Sequence, residues 1–278
     1  MNIATAFFLG AIQGITEFLP VSSSGHLVLF QRIFGISEPA LLFDTMVHGG
    51  TLAAVFIVLR RDIGNILRRP VQPLTAWLII ATLPAVATAL IFKDAIEGAF
   101  ASGAFLGFSF LITSALLLLA EFFSRRSGGG DSPGGLKGKE TMNWLDALII
   151  GLLQGIAIIP GVSRSGSTLS GALSRNLSRD FAARFSFLLS IPAILGALVL
   201  QLKDLAEGAG LEAAAGATGG IGAAALIAGT LSAALVGFFS IRLMLKIVRE
   251  RSLTGFAVYT AVLGALVLVD KFGTRLFF

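Results

Sequence analysis

Long stretches without charge limit this chain to few folds. Six of them are 17 or more residues long, and about 17–25 apolar residues are needed for a helix to cross a bilayer. The chain is 13% charged, about half the share of an average soluble domain, and it lacks the alternating pattern of a membrane β-barrel. We therefore predict an all-α polytopic membrane protein. The stretches are 71–92, 98–120, 147–163, 185–202, 213–241 and 252–269.

The basic side chains fall in short segments between these stretches. Residues 60–69 and 242–251 each hold four Arg or Lys, and the positive-inside rule places such segments in the cytoplasm. The net charge of +5 is therefore assigned to topology, with the lipid bilayer as surroundings and no nucleic acid as partner. The chain has no Cys, which excludes disulfides and thiolate metal sites.

One polar segment occurs twice, 141 positions apart. GAIQGITEFLPVSSSG from residue 10 recurs as GLLQGIAIIPGVSRSG from residue 151. We call 17–26 the first elbow and 158–167 the second elbow. The copies differ where charge is concerned: the first carries Glu17 and His26, and the second carries Arg164. The two elbows are therefore predicted to be halves of one site.

The repeat also predicts the architecture. Each elbow interrupts apolar sequence with Gly, Ser and Pro, as in a re-entrant helical hairpin, and non-helical backbone at membrane depth needs protein or a wet cavity around it. Three spans follow each hairpin, and an odd number turns the second copy over. We predict six transmembrane helices plus two re-entrant hairpins in an inverted-topology repeat. The units are a first repeat (1–120), a cytoplasmic Gly-rich linker (121–143) and a second repeat (144–278). The spans are 41–59, 74–92, 99–120, 185–202, 219–241 and 253–269.

The first elbow carries candidate acid, base and nucleophile groups. Glu17 lies one helical turn after Gln13, so both oxygen-bearing side chains share a face. They could hold a hard cation, position a water or supply a general base, although Glu17 could instead cap a helix. Ser23 offers a hydroxyl and His26 an imidazole. The second histidine, His48, is assigned a structural role.

The second elbow has the composition of an anion clamp. Gly residues allow backbone amides to converge, a helix N-terminus favours negative charge, and Arg164 adds a bidentate fork for phosphate oxygens. Arg175, Arg179 and Arg184 lie outside the elbow and are assigned to topology, and Asp44 is a candidate to pair with one of them. Together the elbows predict phosphoryl chemistry on a phosphorylated lipid.

QGITEFLPVSSSGH and PGVSRSGST resemble the two signature regions of the undecaprenyl-diphosphate phosphatase family, the bacitracin-resistance proteins. The resemblance extends over nearly the whole chain. It implies an integral membrane hydrolase that converts undecaprenyl diphosphate to the monophosphate and recycles the lipid carrier of peptidoglycan synthesis. It further implies a divalent cation, Mg²⁺ or Ca²⁺, and a bacterial inner-membrane location with the site open to the periplasm.

Roles carried over from the resemblance make Glu17 the essential carboxylate, Arg164 the phosphate clamp, and Ser23 and His26 the candidates for nucleophile and base. Either Ser23 attacks with His26 as base, or His26 attacks directly; a metal-activated water is the third route. Gln13 stands where many relatives have a second Glu, and it joins Glu17 as the predicted metal ligands. The predicted substrate-binding residues are Gln13, Ser22, Ser24, Gly25, Ser163, Ser165 and Gly166.

Alternatives remain from the sequence. A lipid flippase or ion-coupled transporter shares the inverted-repeat plan, although a carrier has no need of a Ser-Ser-Ser-Gly-His cluster opposite an Arg. Type 2 phosphatidic-acid phosphatases share a Ser-Gly-His element and a Ser-Arg that is followed six residues later by a nucleophilic His. Counted from Arg164, that position is Ser170, so this family is excluded. Association into a homodimer stays open.

Overall fold

The structure, a computed structural model, describes residues 1–36, 41–92, 95–96, 98, 105–127, 136–208 and 221–276. This part of the chain is helical and contains no strand beyond one isolated bridge between Lys137 and Leu177. The helices are α1 (Ile3–Thr16), α2 (Ser23–Ile33), α3 (Leu41–Val58), α4 (Arg60–Arg68), α5 (Pro73–Ile91), α6 (Leu106–Ser127), α7 (Trp144–Ile156), α8 (Arg164–Ser174), α9 (Arg179–Gly208), α10 (Ala223–Glu250) and α11 (Thr254–Val269).

Five of the described helices, α5, α6, α9, α10 and α11, are long and apolar enough to cross a membrane. A sixth span results if α3 and α4 are counted together, although α4 bends away by 76°. The prediction of an all-α, multi-pass membrane protein is therefore confirmed. Each predicted span overlaps a helix, but residues 99–104 and 219–220 lie outside the described residues, and α6 runs on to Ser127.

Two predicted connections have more structure than expected. The segment 60–69, predicted as a loop, contains the amphipathic helix α4 (Arg60–Arg68). Ile63 and Ile66 of this helix pack against the core while Arg60 and Arg61 face outward. In the Gly-rich linker, the main chain of Lys137 exchanges two hydrogen bonds of 2.8 Å with the segment that follows α8. Residues 128–135 of that linker lie outside the described residues.

Helices from the two halves of the chain pack against each other. α1 lies along α10, and α7 lies along α5. Glycines at equivalent positions of the repeat allow both close approaches: a Cβ at Gly10 would lie 2.1 Å from the backbone oxygen of Gly229, and one at Gly151 would lie 2.6 Å from that of Ala81. Neither interface has room for a side chain.

Buried aromatic packing fixes the position of the first elbow. Phe18 is fully buried directly after Glu17, and its ring meets Phe187 of α9 edge-on at 5.8 Å between centroids. The ring also lies against Gly237 of α10. Large, tightly packed rings restrict the backbone that bears them, so the position of Glu17 is set by contacts to two other helices.

Candidate active site

Glu17 is the point at which the two elbows meet. It follows the last residue of α1 and donates its backbone N–H to Gln13. Its Oε1 accepts a hydrogen bond of 2.6 Å from Arg164 Nη2, and its Oε2 accepts one of 2.6 Å from Ser23 Oγ. The side chain is only 5% exposed. Two predicted site residues 147 positions apart are thus in direct contact, as the repeat predicted.

Arg164 reaches Glu17 from the start of α8. One guanidinium nitrogen, Nη2, makes the ion pair, whereas Nη1 is buried and has no hydrogen-bond partner among the described residues. Ser165 strengthens the junction, because its hydroxyl donates to the backbone oxygen of Leu19 at 3.0 Å. A buried N–H without an acceptor is costly, so Nη1 is a donor that an anionic oxygen could satisfy.

The predicted substrate-binding serines divide into two groups. Ser22 and Ser163, equivalent in the repeat, are buried N-caps whose hydroxyls accept from the backbone N–H of Gly25 at 3.2 Å and of Gly166 at 3.1 Å. These hydroxyls therefore cap the helices and fix the shape of the elbows. The sequence predicts that Gly166 binds the substrate phosphate, but its backbone N–H is already donated to Ser163. Ser24, in the first turn of α2, is only partly buried.

Gly25 is required by packing as well as by backbone approach. A Cβ there would lie 2.8 Å from the ring of Phe110 on α6. The same ring meets the His26 imidazole edge-on at 5.4 Å between centroids. The floor of the first elbow is thus closed by α6.

His26 does not pair with Ser23, contrary to the expectation from their spacing. Its Nδ1 lies 2.7 Å from the backbone oxygen of Ser22, and its Nε2 lies 2.7 Å from the Tyr259 hydroxyl. The Ser23 hydroxyl turns instead to Glu17. Ser23 and His26 lie three residues apart in α2 and therefore share one side of the helix. Their different hydrogen-bond partners, and not their spacing, turn the two side chains apart.

Sequence reasoning missed His48 and Tyr259. His48 was assigned a structural role, and its Nδ1 does bond the backbone oxygen of Asp44 at 2.7 Å, but its Nε2 also lies 3.8 Å from Glu17 Oε2. The available signal was an ionisable residue within a predicted span, which marks function by default. Tyr259 is the only tyrosine of the chain and lies in a charge-free stretch, where a hydroxyl seeks a partner.

Asp44 does not pair with the arginines proposed for it. It accepts a hydrogen bond of 2.8 Å from Gln31. Arg175 bonds Asp146, Arg179 bonds Glu121, and Arg184 bonds Asp62 and Asp180. The prediction for Asp44 was therefore wrong, because each of these arginines pairs with a different carboxylate.

The donor set for a metal is small. No group of three or more His, Asp or Glu side chains in the described part of the chain is arranged to hold an ion. Gln13 donates its Nε2 to Glu17 Oε2 at 2.9 Å, which leaves its own Oε1 buried without a partner in the described region. Glu17 and this amide oxygen fit an ion that keeps waters and substrate phosphates as its other ligands, as Mg²⁺ often does.

A family model described as bacitracin resistance protein BacA matches residues 6–266. The chain belongs to the BacA family. An undecaprenyl-diphosphatase of Carboxydothermus hydrogenoformans is 47% identical over 97% of each chain. Undecaprenyl-diphosphatase 3 of Bacillus cereus is 42% identical over the full length of both, and an undecaprenyl-diphosphatase of Methanosphaera stadtmanae is 39% identical over 97% of this chain and 98% of its own.

The residues matched by the BacA family model include the entire candidate site. Glu17, Ser23, Arg164 and Tyr259 all lie within the matched residues. The family recognised from the two elbow motifs is therefore confirmed.

Proposed function

We propose that this protein is an integral membrane phosphatase that hydrolyses undecaprenyl diphosphate to undecaprenyl phosphate and phosphate. Its relatives over nearly the full length carry the name undecaprenyl-diphosphatase. The observation that carries the proposal is the Glu17 carboxylate, which holds a serine hydroxyl from one half of the chain and a guanidinium from the other. This contact supports a nucleophile and a phosphate ligand at a common centre, as phosphoryl transfer requires.

Ser23 is the nucleophile in this proposal. Its oxygen forms a bond to the terminal phosphorus, and the phosphoanhydride bond to the lipid phosphate breaks, releasing undecaprenyl phosphate. The hydroxyl proton passes to Glu17, the group that Ser23 already contacts. Glu17 passes this proton to the departing lipid phosphate and is a carboxylate again. Water then attacks the phosphorus of the phosphoserine, the bond from phosphorus to the Ser23 oxygen breaks, one water proton goes to Ser23, and phosphate is released. His26 as nucleophile has less support, because both of its ring nitrogens are engaged.

Arg164 supplies positive charge where the phosphoryl oxygens lie. The Nη2 atom orients the guanidinium by donating to Glu17, and the Nη1 atom, which has no partner among the described residues, donates to a phosphoryl oxygen. The N-terminal ends of α2 and α8, which carry Ser23 and Arg164, add the favourable ends of two helix dipoles. These groups stabilise charge on the phosphate during transfer.

A divalent cation, Mg²⁺ or Ca²⁺, is part of the proposal. Glu17 and the Oε1 of Gln13 would hold it together with the diphosphate, and it would neutralise the phosphate charge. Chelation should lower turnover, and adding either ion back should restore it. Binding is measurable without turnover, because the ion should raise the thermal midpoint of wild-type protein more than that of Gln13→Ala.

The proposed setting is the bacterial inner membrane with the site open to the periplasm. The helix pairs α1–α2 and α7–α8, each broken at an elbow, act as re-entrant hairpins between six spans, and the second copy is inverted relative to the first. The matched close approaches at Gly10 and Gly151 support this symmetry. The isoprenoid tail would then remain in the bilayer while the diphosphate enters the junction of the elbows.

Phosphate release by purified protein in detergent tests the proposal, since no transport occurs there. Wild type should release phosphate from undecaprenyl diphosphate, and Ser23→Ala should lose about a thousandfold or more. Ser240→Ala is the matched control, because its hydroxyl only bonds within α10. An acid-stable phosphoenzyme trapped in wild type indicates phosphoserine; an acid-labile one points to phosphohistidine. Protein that moves the lipid in vesicles but releases no phosphate in detergent would instead support the transporter alternative.

A further inference from the structure

The His26 ring is fully occupied by its neighbours. A backbone oxygen only accepts, so Nδ1 carries the proton in its 2.7 Å bond to Ser22. Nε2 lies 2.7 Å from the Tyr259 hydroxyl, from which it accepts when the ring is neutral. The residue is 3% exposed, and its ring lies almost parallel to that of Tyr259, with centroids 5.7 Å apart. The nitrogen that would attack phosphorus or take a proton is therefore covered.

The bond from His26 restrains an unusual backbone conformation. Ser22 has a φ of 73° and a ψ of 100°, a conformation that costs on the order of 1–3 kcal/mol in a residue other than Gly and persists only when the surroundings enforce it. The Nδ1–H of His26 holds the Ser22 carbonyl, and the Gly25 N–H holds its hydroxyl. Ser22 directly precedes Ser23, so its conformation decides where the Ser23 hydroxyl points.

We propose that His26 and Tyr259 are positioning residues. Tyr259 orients the His26 ring, His26 holds the Ser22 carbonyl, and the resulting backbone aims Ser23 at Glu17 and the reacting phosphate. The inference rests on the proposed phosphatase function and adds to it a residue of α11, 233 positions from His26. It also assigns the imidazole to the shape of the elbow and leaves the chemical step to Ser23.

Four variants test the chain of contacts: His26→Asn, His26→Leu, Tyr259→Phe and the double variant His26→Asn with Tyr259→Phe. Asn keeps an N–H donor near the place of Nδ1 but has no second ring nitrogen for attack or proton transfer. We expect His26→Asn to retain kcat within about tenfold of wild type, the worth of one altered hydrogen bond. His26→Leu, which leaves the Ser22 carbonyl without its partner, should lose about a hundredfold or more.

Tyr259→Phe should lower kcat by about tenfold with little change in KM, because it removes one hydrogen bond away from the substrate. In the His26→Asn background the same substitution should have no further effect, since Tyr259 acts only through the ring. Thr254→Val is the matched control: it removes a hydroxyl from the same helix outside the site, and activity should stay unchanged.

Gel filtration and thermal unfolding in detergent identify the variants that fold as wild type, and kinetics are compared among those. Folded His26→Asn that is as inactive as His26→Leu would overturn the proposal, because the ring itself would then be needed for chemistry. Tyr259→Phe with wild-type kcat, or with the same loss in both backgrounds, would overturn the role of Tyr259 even if His26→Leu fails to fold. Wild type that releases no phosphate contradicts the proposed function itself.

Discussion

At the scale of single residues, the proposed function gives the guanidinium of Arg164 two distinct tasks. Nη2 bonds Glu17, while the buried Nη1 awaits an oxygen. An ammonium group is a point charge without a planar fork and cannot do both in this geometry. The identity of the cation should therefore matter as much as its charge.

Arg164→Lys should lower kcat/KM by about 10- to 100-fold, the worth of one charge-assisted hydrogen bond. Phosphate release measured over a range of substrate concentrations checks this. Arg184→Lys is the matched control, since Arg184 bonds only the partly exposed Asp62 and Asp180, and such pairs contribute little. Activity of Arg164→Lys within a fewfold of wild type would mean that Arg164 serves only topology.

The sequence predicted the contact between Glu17 and Arg164 because the repeat marks them as members of equivalent elbows. It did not predict the environment of His26. A motif shows which groups are near each other along the chain, whereas side-chain direction depends on packing against distant helices. Tyr259 and Phe110, which decide where the imidazole points, belong to α11 and α6 and lie outside both motifs.

At the scale of helices, the equivalent glycines of α1 and α7 set the spacing of two interfaces. In membranes, small residues permit the close helix approach on which packing depends. Gly10 meets the backbone of α10, and Gly151 meets that of α5. A side chain at either place must push two backbones apart.

Gly10→Ala and Gly151→Ala should each destabilise the protein, by about 1–3 kcal/mol for an overpacked interface. The thermal midpoint in detergent should fall for both. Gly196→Ala is the control, because a Cβ there meets nothing within 4 Å, and Ala is the better helix former. A midpoint for Gly10→Ala equal to that of Gly196→Ala would show that the α1–α10 contact is looser than described.

A buried carboxylate joins three segments at the start of α7. Asp146 accepts hydrogen bonds of 2.9 Å from Lys137 of the linker and from Arg175 at the end of α8, and it forms a capping box with Asn143. Burial alone would raise the pKa of Asp146, but the bonds from Lys137, from the Asn143 N–H and from Arg175 outweigh it and lower the pKa below the usual value.

Because the pKa of Asp146 is lower in the folded state than in the unfolded state, its contribution to stability is present above the usual pKa near 4 and is lost as the pH falls through the folded value. Asp146→Asn should lower the free energy of unfolding at neutral pH by about 3–5 kcal/mol, since it leaves two cations without their partner. Thermal midpoints measured from neutral pH down to pH 3 check this. The gap between wild type and variant should narrow towards acid; a gap that is constant with pH would contradict the assignment.

Helix existence was predictable from the sequence, because apolar length and Gly/Pro breaks are local signals. Helix α4 was not predictable, because the four arginines of residues 60–69 are typical of a polar loop, although two isoleucines of that segment pack against the core. The ends of α6 and α9 were also underestimated. Charged residues there continue a helix beyond its apolar stretch. Hydropathy therefore gives the length of the apolar span and not the length of the whole helix.

At the scale of the whole molecule, the distribution of basic segments predicts the orientation in the membrane. Arg69 follows α4 and Arg251 follows α10, so both should lie in the cytoplasm, whereas Lys203 near the end of α9 should lie outside. The chain contains no Cys, which makes single-cysteine variants unambiguous.

In intact cells, an impermeant maleimide should label Lys203→Cys and spare Arg69→Cys and Arg251→Cys until the membrane is opened. Labelling of the permeabilised cells is the control for reactivity of each thiol. Equal labelling of positions 69 and 203 in intact cells would contradict the proposed inversion of the second repeat.

The repeat made the equivalence of the halves predictable, but not their interleaving. Sequence similarity shows which helices correspond, and it is silent on which helices touch. α1 lies on α10 of the other half, and α7 lies on α5. That exchange depends on long-range contacts between backbones, to which a local pattern contributes only the glycines.

The packing of helices from one half of the chain against helices of the other has a consequence for the synthesis of the protein. A ribosome that adds about 5–20 residues per second delivers Glu17 to the membrane roughly 7–30 s before Arg164, which lies 147 positions later. Throughout that interval the carboxylate has no arginine beside it, and α1 has no α10 to lie on. A nascent chain released before residue 223 would hold both elbows in sequence yet lack α10, along which α1 lies, and Tyr259 of α11, which contacts His26. On the proposed function, we therefore expect phosphatase activity to arise only near the end of synthesis, when α10 and α11 are in place.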